Sequence, residues 1–143
     1  ASKMEAGRID RDELSPFLLR MFVRLGGHNA VADYGETAAS DSLPAEEMQV
    51  YTWPDATLRE LTDLIKEARP DCRRARCEFA FAIVYPDRQG KNVLKEVGRV
   101  RSREVRASEN TTLRGLRFQT GDYLDVAVFG ADDHYDDAPD PRR

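Results

Sequence analysis

The segment Glu47-Met-Gln-Val-Tyr-Thr-Trp-Pro-Asp-Ala-Thr-Leu-Arg-Glu-Leu-Thr-Asp-Leu-Ile-Lys-Glu-Ala68 constrains the fold of this chain more than any other. Its first part alternates: Met48, Val50 and Thr52 share one face, and Gln49, Tyr51 and Trp53 the other, as in a strand over 46–53. Pro54-Asp55 turns the chain. Thr57 followed by Glu60 matches a capping box, in which each side chain satisfies a backbone donor at a helix start. Leu58, Leu61, Leu64, Ile65 and Ala68 then recur at helical spacing, and Arg59, Glu60, Asp63, Lys66 and Glu67 fall off that stripe. Pro70 stops the helix. A strand followed by one capped amphipathic helix needs a sheet to cover, so the rest of the chain must supply strands.

It supplies them. Phe17-Leu-Leu-Arg-Met-Phe-Val-Arg-Leu25 suits a central strand, with Phe17, Leu19, Met21 and Val23 pointing inward and Leu18, Arg20 and Phe22 outward. Phe79-Ala-Phe-Ala-Ile-Val-Tyr85 is a second apolar strand, its aromatic residues on one face and Ala80, Ala82 and Val84 on the other. Pro86-Asp-Arg-Gln-Gly90 is turn chemistry. Residues 93–97 form a short edge strand guarded by Lys95 and Glu96. Residues 112–118 read as a short helical turn. Tyr123-Leu-Asp-Val-Ala-Val-Phe129 closes the series: Leu124, Val126 and Val128 point inward, and Asp125 marks the outward face. The order strand, strand, helix, strand, short strand, helical turn, strand predicts an α+β fold. It matches the β-grasp, or ubiquitin-like, arrangement: a mixed five-stranded sheet packed on one main helix.

Length allows one domain with a real core. The chain has 143 residues, 41% of them hydrophobic and 34% charged, which predicts a compact centre with polar ends. Residues 1–15 read as a flexible lead and 16–129 as the domain. Residues 26–45, rich in Gly, Ala, Ser and Asp, read as an inserted loop that orders on contact with a partner. Residues 130–143 carry five aspartates and two prolines and read as a disordered acidic tail. A formal net charge of −4 argues against general nucleic-acid affinity. No apolar run reaches the roughly 20 residues that cross a bilayer, and the N-terminus lacks the apolar core of a secretory signal. Cys72 and Cys77, with no histidine nearby, cannot complete a tetrahedral zinc site. They read as reduced thiols, with a disulfide left open.

Catalysis needs a nucleophile, a base and an orienting group in mutual reach. His28 lies in the inserted loop and His134 in the tail, and both read as solvated surface histidines. Gly26-Gly27 lacks the lysine and helix of a phosphate loop. The reading is therefore of a binding protein with no enzyme activity, no metal site and no cofactor. The outward sheet face, with Leu18, Phe22, Ala80, Ala82, Val84, Tyr123, Ala127 and Phe129, is apolar enough to mark an interaction surface, unless the inserted loop or a terminal segment covers it. Tyr51 and Trp53 are anchors of a core or of an interface. The partner-binding candidates are Leu18, Phe22, Tyr51, Trp53, Tyr123 and Phe129. Arg99, Arg101, Arg103 and Arg106, read as a polar loop, are candidates for contact with RNA or an acidic peptide.

Residues 16–22, 48–70, 79–85, 95–98 and 112–128 resemble the eighteen-kilodalton Sin-three-associated polypeptide family. The blocks Tyr51-Thr-Trp-Pro-Asp-Ala-Thr-Leu-Arg-Glu-Leu61 and Phe118-Gln-Thr-Gly-Asp-Tyr-Leu-Asp-Val-Ala-Val128 are the most specific parts. The 26–45 loop, the arginine series and the tail depart from the family's sequences. The resemblance implies a non-enzymatic nuclear adaptor with a ubiquitin-like fold, also present in the cytoplasm, that acts through protein–protein contacts. It implies membership of the Sin-three histone deacetylase corepressor assembly. It also implies membership of the apoptosis- and splicing-associated (ASAP) complex, with Acinus and a serine-rich-domain RNA-binding protein, or of a related assembly carrying pinin. Both attach to the exon junction complex, so RNA is reached indirectly. The expected state is a monomer before assembly, without membrane contact. Two alternatives differ in class. A direct RNA-binding module would use the Arg99–Arg106 series. A ubiquitin-like modifier would need a C-terminal Gly-Gly, where this chain ends Asp-Pro-Arg-Arg.

Overall fold

A computed structural model describes residues 11–103 and 107–131. Its strands are β1 (Phe17–Leu25), β2 (Glu47–Thr52), β3 (Glu78–Pro86), β4 (Asn92–Arg101) and β5 (Tyr123–Phe129), with one α-helix, α1 (Leu58–Ala68). They form one five-stranded sheet in the order β2-β1-β5-β3-β4. The central pair β1–β5 is parallel, with Met21 opposite Leu124 and Val23 opposite Val126. The other three pairings are antiparallel. The expected mixed sheet on one main helix is therefore observed.

The strand alternation places the core. Leu19, Met21, Val23, Phe79, Phe81, Ile83, Leu124, Val126 and Val128 meet Leu58, Leu61 and Ile65 on the helix side. Cys72 and Cys77 join this cluster as free, buried thiols, and burial pushes the Cys72 thiol up to about 12. The buried face of α1 is Leu58, Leu61, Thr62 and Ile65. The expected stripe shifts by part of a turn: Ala68 is exposed, and Thr62 is tolerated inside because its hydroxyl donates to Leu58 O at 2.8 Å. The capping box forms by half. Thr57 Oγ1 accepts from Glu60 N at 3.0 Å, while the Glu60 carboxylate is taken by Arg11.

One helix is about 10 Å wide and five strands span roughly 19 Å, so α1 cannot cover the sheet alone. Residues 111–118 cover the remainder. Leu58 N bonds to Thr111 O, Leu113 N to Ala56 O, and Leu113 is buried, so the segment is sewn to the helix start. One helical bond, Leu116 N to Thr112 O, fits the expected turn, and Phe118 stacks on Phe17.

Two sequence expectations change. β4 is ten residues long and absorbs Arg99 and Arg101, which were read as loop. A bulge between Phe81 and Ala82 re-phases the ladder, so Val100 turns to the core while Arg99 and Arg101 turn outward to Glu78. Gly98 faces the helix: a Cβ there would lie 2.7 Å from Leu58 Cδ1. The second concerns the outward face, where the alternative of cover by the inserted loop holds at the centre. Phe22, Ala80, Ala82 and Ala127 are fully buried, and residues 28–34 of the supposed insertion lie over part of this face: Tyr34 packs on Phe22, and His28 reaches from Asp125 to Glu96.

Gly98→Ala is expected to destabilise the fold by about 1–3 kcal/mol, the cost of overpacking a filled core. Leu58→Ala in the same chain removes the obstructing methyl, so the double variant should lose less than the sum of the two single losses in urea unfolding.

Candidate functional site

Asp125 stands in the middle of the central strand and is 0% exposed. A buried carboxylate must be satisfied by donors or it unfolds the region around it. Here the donors all come from the segment after β1. Tyr34 OH donates to Oδ2 at 2.6 Å, Asn29 Nδ2 to Oδ2 at 2.9 Å, and Asn29 N to Oδ1 at 3.3 Å. His28 Nδ1 lies 2.7 Å from Oδ1. Tyr34 is itself 1% exposed and packs edge-on to Phe22 and face-to-face with Tyr123. Its far end is fixed by Asn92 Nδ2, which donates to Tyr34 O and Gly35 O, and by Asn92 N donating to Glu36 O. At Gly35 φ is +83°, and a Cβ would sit 2.0 Å from Ser40 Oγ, so the turn out of this clamp requires glycine.

His28 bridges two strands. Its Nε2 lies 3.1 Å from Glu96 Oε1 on β4, while Nδ1 faces Asp125 on β5. The hydrogen bond to Asp125 raises its pKa above the ordinary value, with Glu96 adding to this and burial opposing it. Glu96 is held low, first by Arg99 and then by His28. The expectation of a solvated histidine fails here for a physical reason: two carboxylates flank the partly buried imidazole and favour its protonated form. The same geometry argues against use of His28 as a base. Its second nitrogen faces a carboxylate, and the two thiols belong to the opposite face of the sheet. Among the described residues no group of three or more His, Cys, Asp or Glu could hold a metal ion.

A second buried carboxylate, Glu109, is 2% exposed. Arg59 donates to both its oxygens, at 3.1 and 2.7 Å, and to Arg101 O at 2.8 Å, a forked pairing that ties α1 to the segment after β4. Sequence reasoning missed Asp125 and Glu109 as interior groups. The signal available was weak: one tyrosine inside a polar loop for the first, and none for the second.

The six partner-binding candidates separate. Phe22 is core, so its removal would unfold the loop clamp. Tyr123 is half-buried beneath Tyr34 and the Arg20 guanidinium, which sits 5.3 Å from its ring centre. Phe129 is half-buried under Arg99 at 5.4 Å. Trp53 is neither free nor core: its Nε1 donates to Leu14 O at 2.9 Å and Arg11 covers its ring at 4.8 Å. Arg11 also pairs with Asp55 at 2.7 Å and Glu60 at 3.1 Å, so residues 11–14 of the polar N-terminal stretch are held to the β2–α1 turn. Leu18 and Tyr51 remain exposed, at 36% and 69%, directly opposite each other on β1 and β2. Of the arginine series, Arg99 pairs with Glu96 and Glu78, and Arg101 with Glu78. Arg103 is exposed beside Arg74 and Arg76. Arg106, His134 and the acidic tail from 132 onward lie outside the described residues.

Tyr34→Phe is expected to cost about 1.5–3 kcal/mol, the range for a hydrogen bond to a charged group. Asp125→Ala is expected to cost about 3–5 kcal/mol, because it removes one side of a buried charge pair. Urea unfolding measures both. The His28 contribution has a fixed sign. A folded pKa raised above the unfolded value of about 6.5 stabilises fully below that pH and fades as pH rises through the folded value. The wild-type chain should therefore lose stability relative to His28→Gln on going from pH 6 to pH 9; an unchanged difference would remove the charged-histidine bridge.

Residues 8–128 match the family described as Sin3 associated polypeptide p18 (SAP18). Three curated relatives are similar along most of their length. The Arabidopsis thaliana protein named "Histone deacetylase complex subunit SAP18" is 43% identical over 85% of this chain and 79% of its own. The Homo sapiens protein of the same name is 42% identical over 84% and 77%. The Caenorhabditis elegans "Probable histone deacetylase complex subunit SAP18" is 42% identical over 84% and 72%. The matched residues run from ahead of β1 into β5, taking in the loop clamp and the whole helix-side core, and the chain belongs to the Sin3 associated polypeptide p18 family.

Proposed function

We propose that this chain is a non-catalytic subunit of a nuclear histone deacetylase corepressor complex, working as an adaptor with a β-grasp domain over residues 16–129. The relatives' names support the complex, and the parallel β1–β5 pair flanked by two antiparallel arms above one helix supports the β-grasp reading. One observation carries the adaptor role: Leu18 and Tyr51 form an exposed apolar pair at the end of the sheet where β2 is the outermost strand. Among the described residues no strand lies beyond β2, so its outer backbone groups are open to an added strand while Leu18 and Tyr51 supply side-chain anchors. Arg20 and Glu47, paired at 2.9 Å beside them, give the patch a polar rim.

The same adaptor extends to the splicing-linked assembly, with an Acinus-type or pinin peptide and a serine-rich-domain RNA-binding protein as its other partners. RNA is then reached through those partners, in keeping with the commitment of Arg99 and Arg101 to Glu78 and Glu96. Purified chain reconstituted with the Sin-three scaffold, and separately with an Acinus-type peptide, tests the proposal. Leu18→Ser with Tyr51→Ser should leave urea stability within about 1 kcal/mol, since both side chains are exposed. It should weaken at least one of these partners about tenfold or more, the scale of a lost hot spot. Wild-type affinity of the folded double variant for both would overturn the patch.

A further inference from the structure

The helix side of the sheet is not completely filled. Between the β3–β4 hairpin and the 111–122 segment lies a cleft of about 380 Å³. Its apolar wall is Ile83, Tyr85, Val97 and Leu116, and its rim carries Lys95 and Arg117. The cleft follows from the same shortage that puts 111–118 over the sheet: α1 covers one part, Leu113 and Phe118 another, and the join between hairpin and turn stays open.

Two facts bear on what this cleft takes. First, Lys95 and Arg117 make no ion pair among the described residues and both are exposed, so two cations stand at its mouth. Second, Arg117 has φ of +64°, a left-handed conformation that costs a non-glycine residue energy. It is held there by Arg117 N donating to Arg114 O at 2.9 Å and Phe118 N to Leu113 O at 3.0 Å. Backbone in such regions persists where the surroundings impose it, and it clusters at ligand clamps. The one acid in the lining, Asp122, accepts from Gln119 N at 3.0 Å and makes no ion pair with either cation.

We infer that this cleft is a second protein-docking site, taking an acidic peptide that inserts one apolar side chain against Val97 and Leu116 and sets carboxylates on Lys95 and Arg117. An apolar wall selects a side chain, and two unpaired cations at its mouth select the sign of the flanking residues. The volume admits one large side chain, which makes the occupant a short linear segment. The inference rests on the adaptor reading only in taking a protein as the partner, and it uses a surface on the opposite side of the sheet from Leu18 and Tyr51.

The probe is a capped five-residue peptide with a central phenylalanine between pairs of acidic residues, titrated into the full isotope-labelled chain and followed by amide shifts. Expected are saturable shifts at Val97, Leu116 and Arg117. Binding should weaken about tenfold or more in the Lys95→Glu/Arg117→Glu chain, since like charges then face each other. A peptide with lysines in place of the acids should bind that reversed chain and not the wild type. Leu116→Ser should weaken the original peptide without changing its salt dependence. Shifts elsewhere on the chain, equal binding by the reversed chain, or equal saturation by benzoate as a free small acid would each overturn the proposal. Peptide binding absent while the reconstituted complex forms rejects the cleft and leaves the adaptor reading standing; peptide binding present while no complex forms does the reverse.

Discussion

The carboxylate of Asp125 is the constraint on which the outer half of this molecule depends. It sits on the central strand between β1 and β3, fully buried, where an unpaired charge would be intolerable. Four donors from residues 28–34 satisfy it, and by doing so they fix a polar segment across the sheet. Hydrophobic burial follows from this order. Tyr34 is carried onto Phe22 and Tyr123, and Val84 and Leu94 are covered with them. The ionic contact decides where the segment lies, and the aromatic contact supplies the apolar burial that offsets the desolvation of the acid.

The other face is governed by geometry rather than charge. An eleven-residue helix faces a five-stranded sheet, and Gly98 lets α1 approach β4 closely enough to seal one side. The other side is finished by the 111–118 segment, which is tied to the helix start by backbone bonds, while Arg59 ties α1 to Arg101 O on β4 and to Glu109. Charge again sets position: Glu109 is buried because Arg59 can reach it, and Arg59 lies off the apolar stripe because it has that task.

Strand and helix positions were legible because alternation at period two and recurrence at 3.6 are written directly in Leu19-Met21-Val23, Phe79-Phe81-Ile83 and Leu58-Leu61-Ile65. Interior charge was not. Asp125 in a strand reads as an outward, solvated residue, and nothing local to it shows that a loop nearly a hundred residues earlier will cover it. The same blind spot misassigned His28 as solvated and left undecided whether the inserted loop covers the sheet face. β4 was read too short because Arg99 and Arg101 look like loop until Glu78 is placed across from them. Leu18 and Tyr51 were legible as candidates, but Phe22, on the same face of the same strand, was indistinguishable from them by pattern. Only the position of Tyr34 separates the two.

What remains for partners is then set by subtraction. The outer face is occupied at its centre by the Asp125 clamp and closed toward β4 by the Arg99–Glu78–Glu96 network, which leaves the Leu18–Tyr51 end and the edge of β2. Among the described residues the inner face is covered by α1 and the 111–118 segment, with a cleft left beside Lys95 and Arg117 and a smaller one between Val23, Met48 and Ala68. These two surfaces differ in kind: one is an apolar strip with an open backbone edge, the other an apolar recess with a cationic mouth. They lie on opposite sides of a sheet whose strands are fixed by a common core. For the adaptor proposed above, two chemically distinct surfaces on opposite sides of the sheet are the minimum equipment for joining two larger proteins.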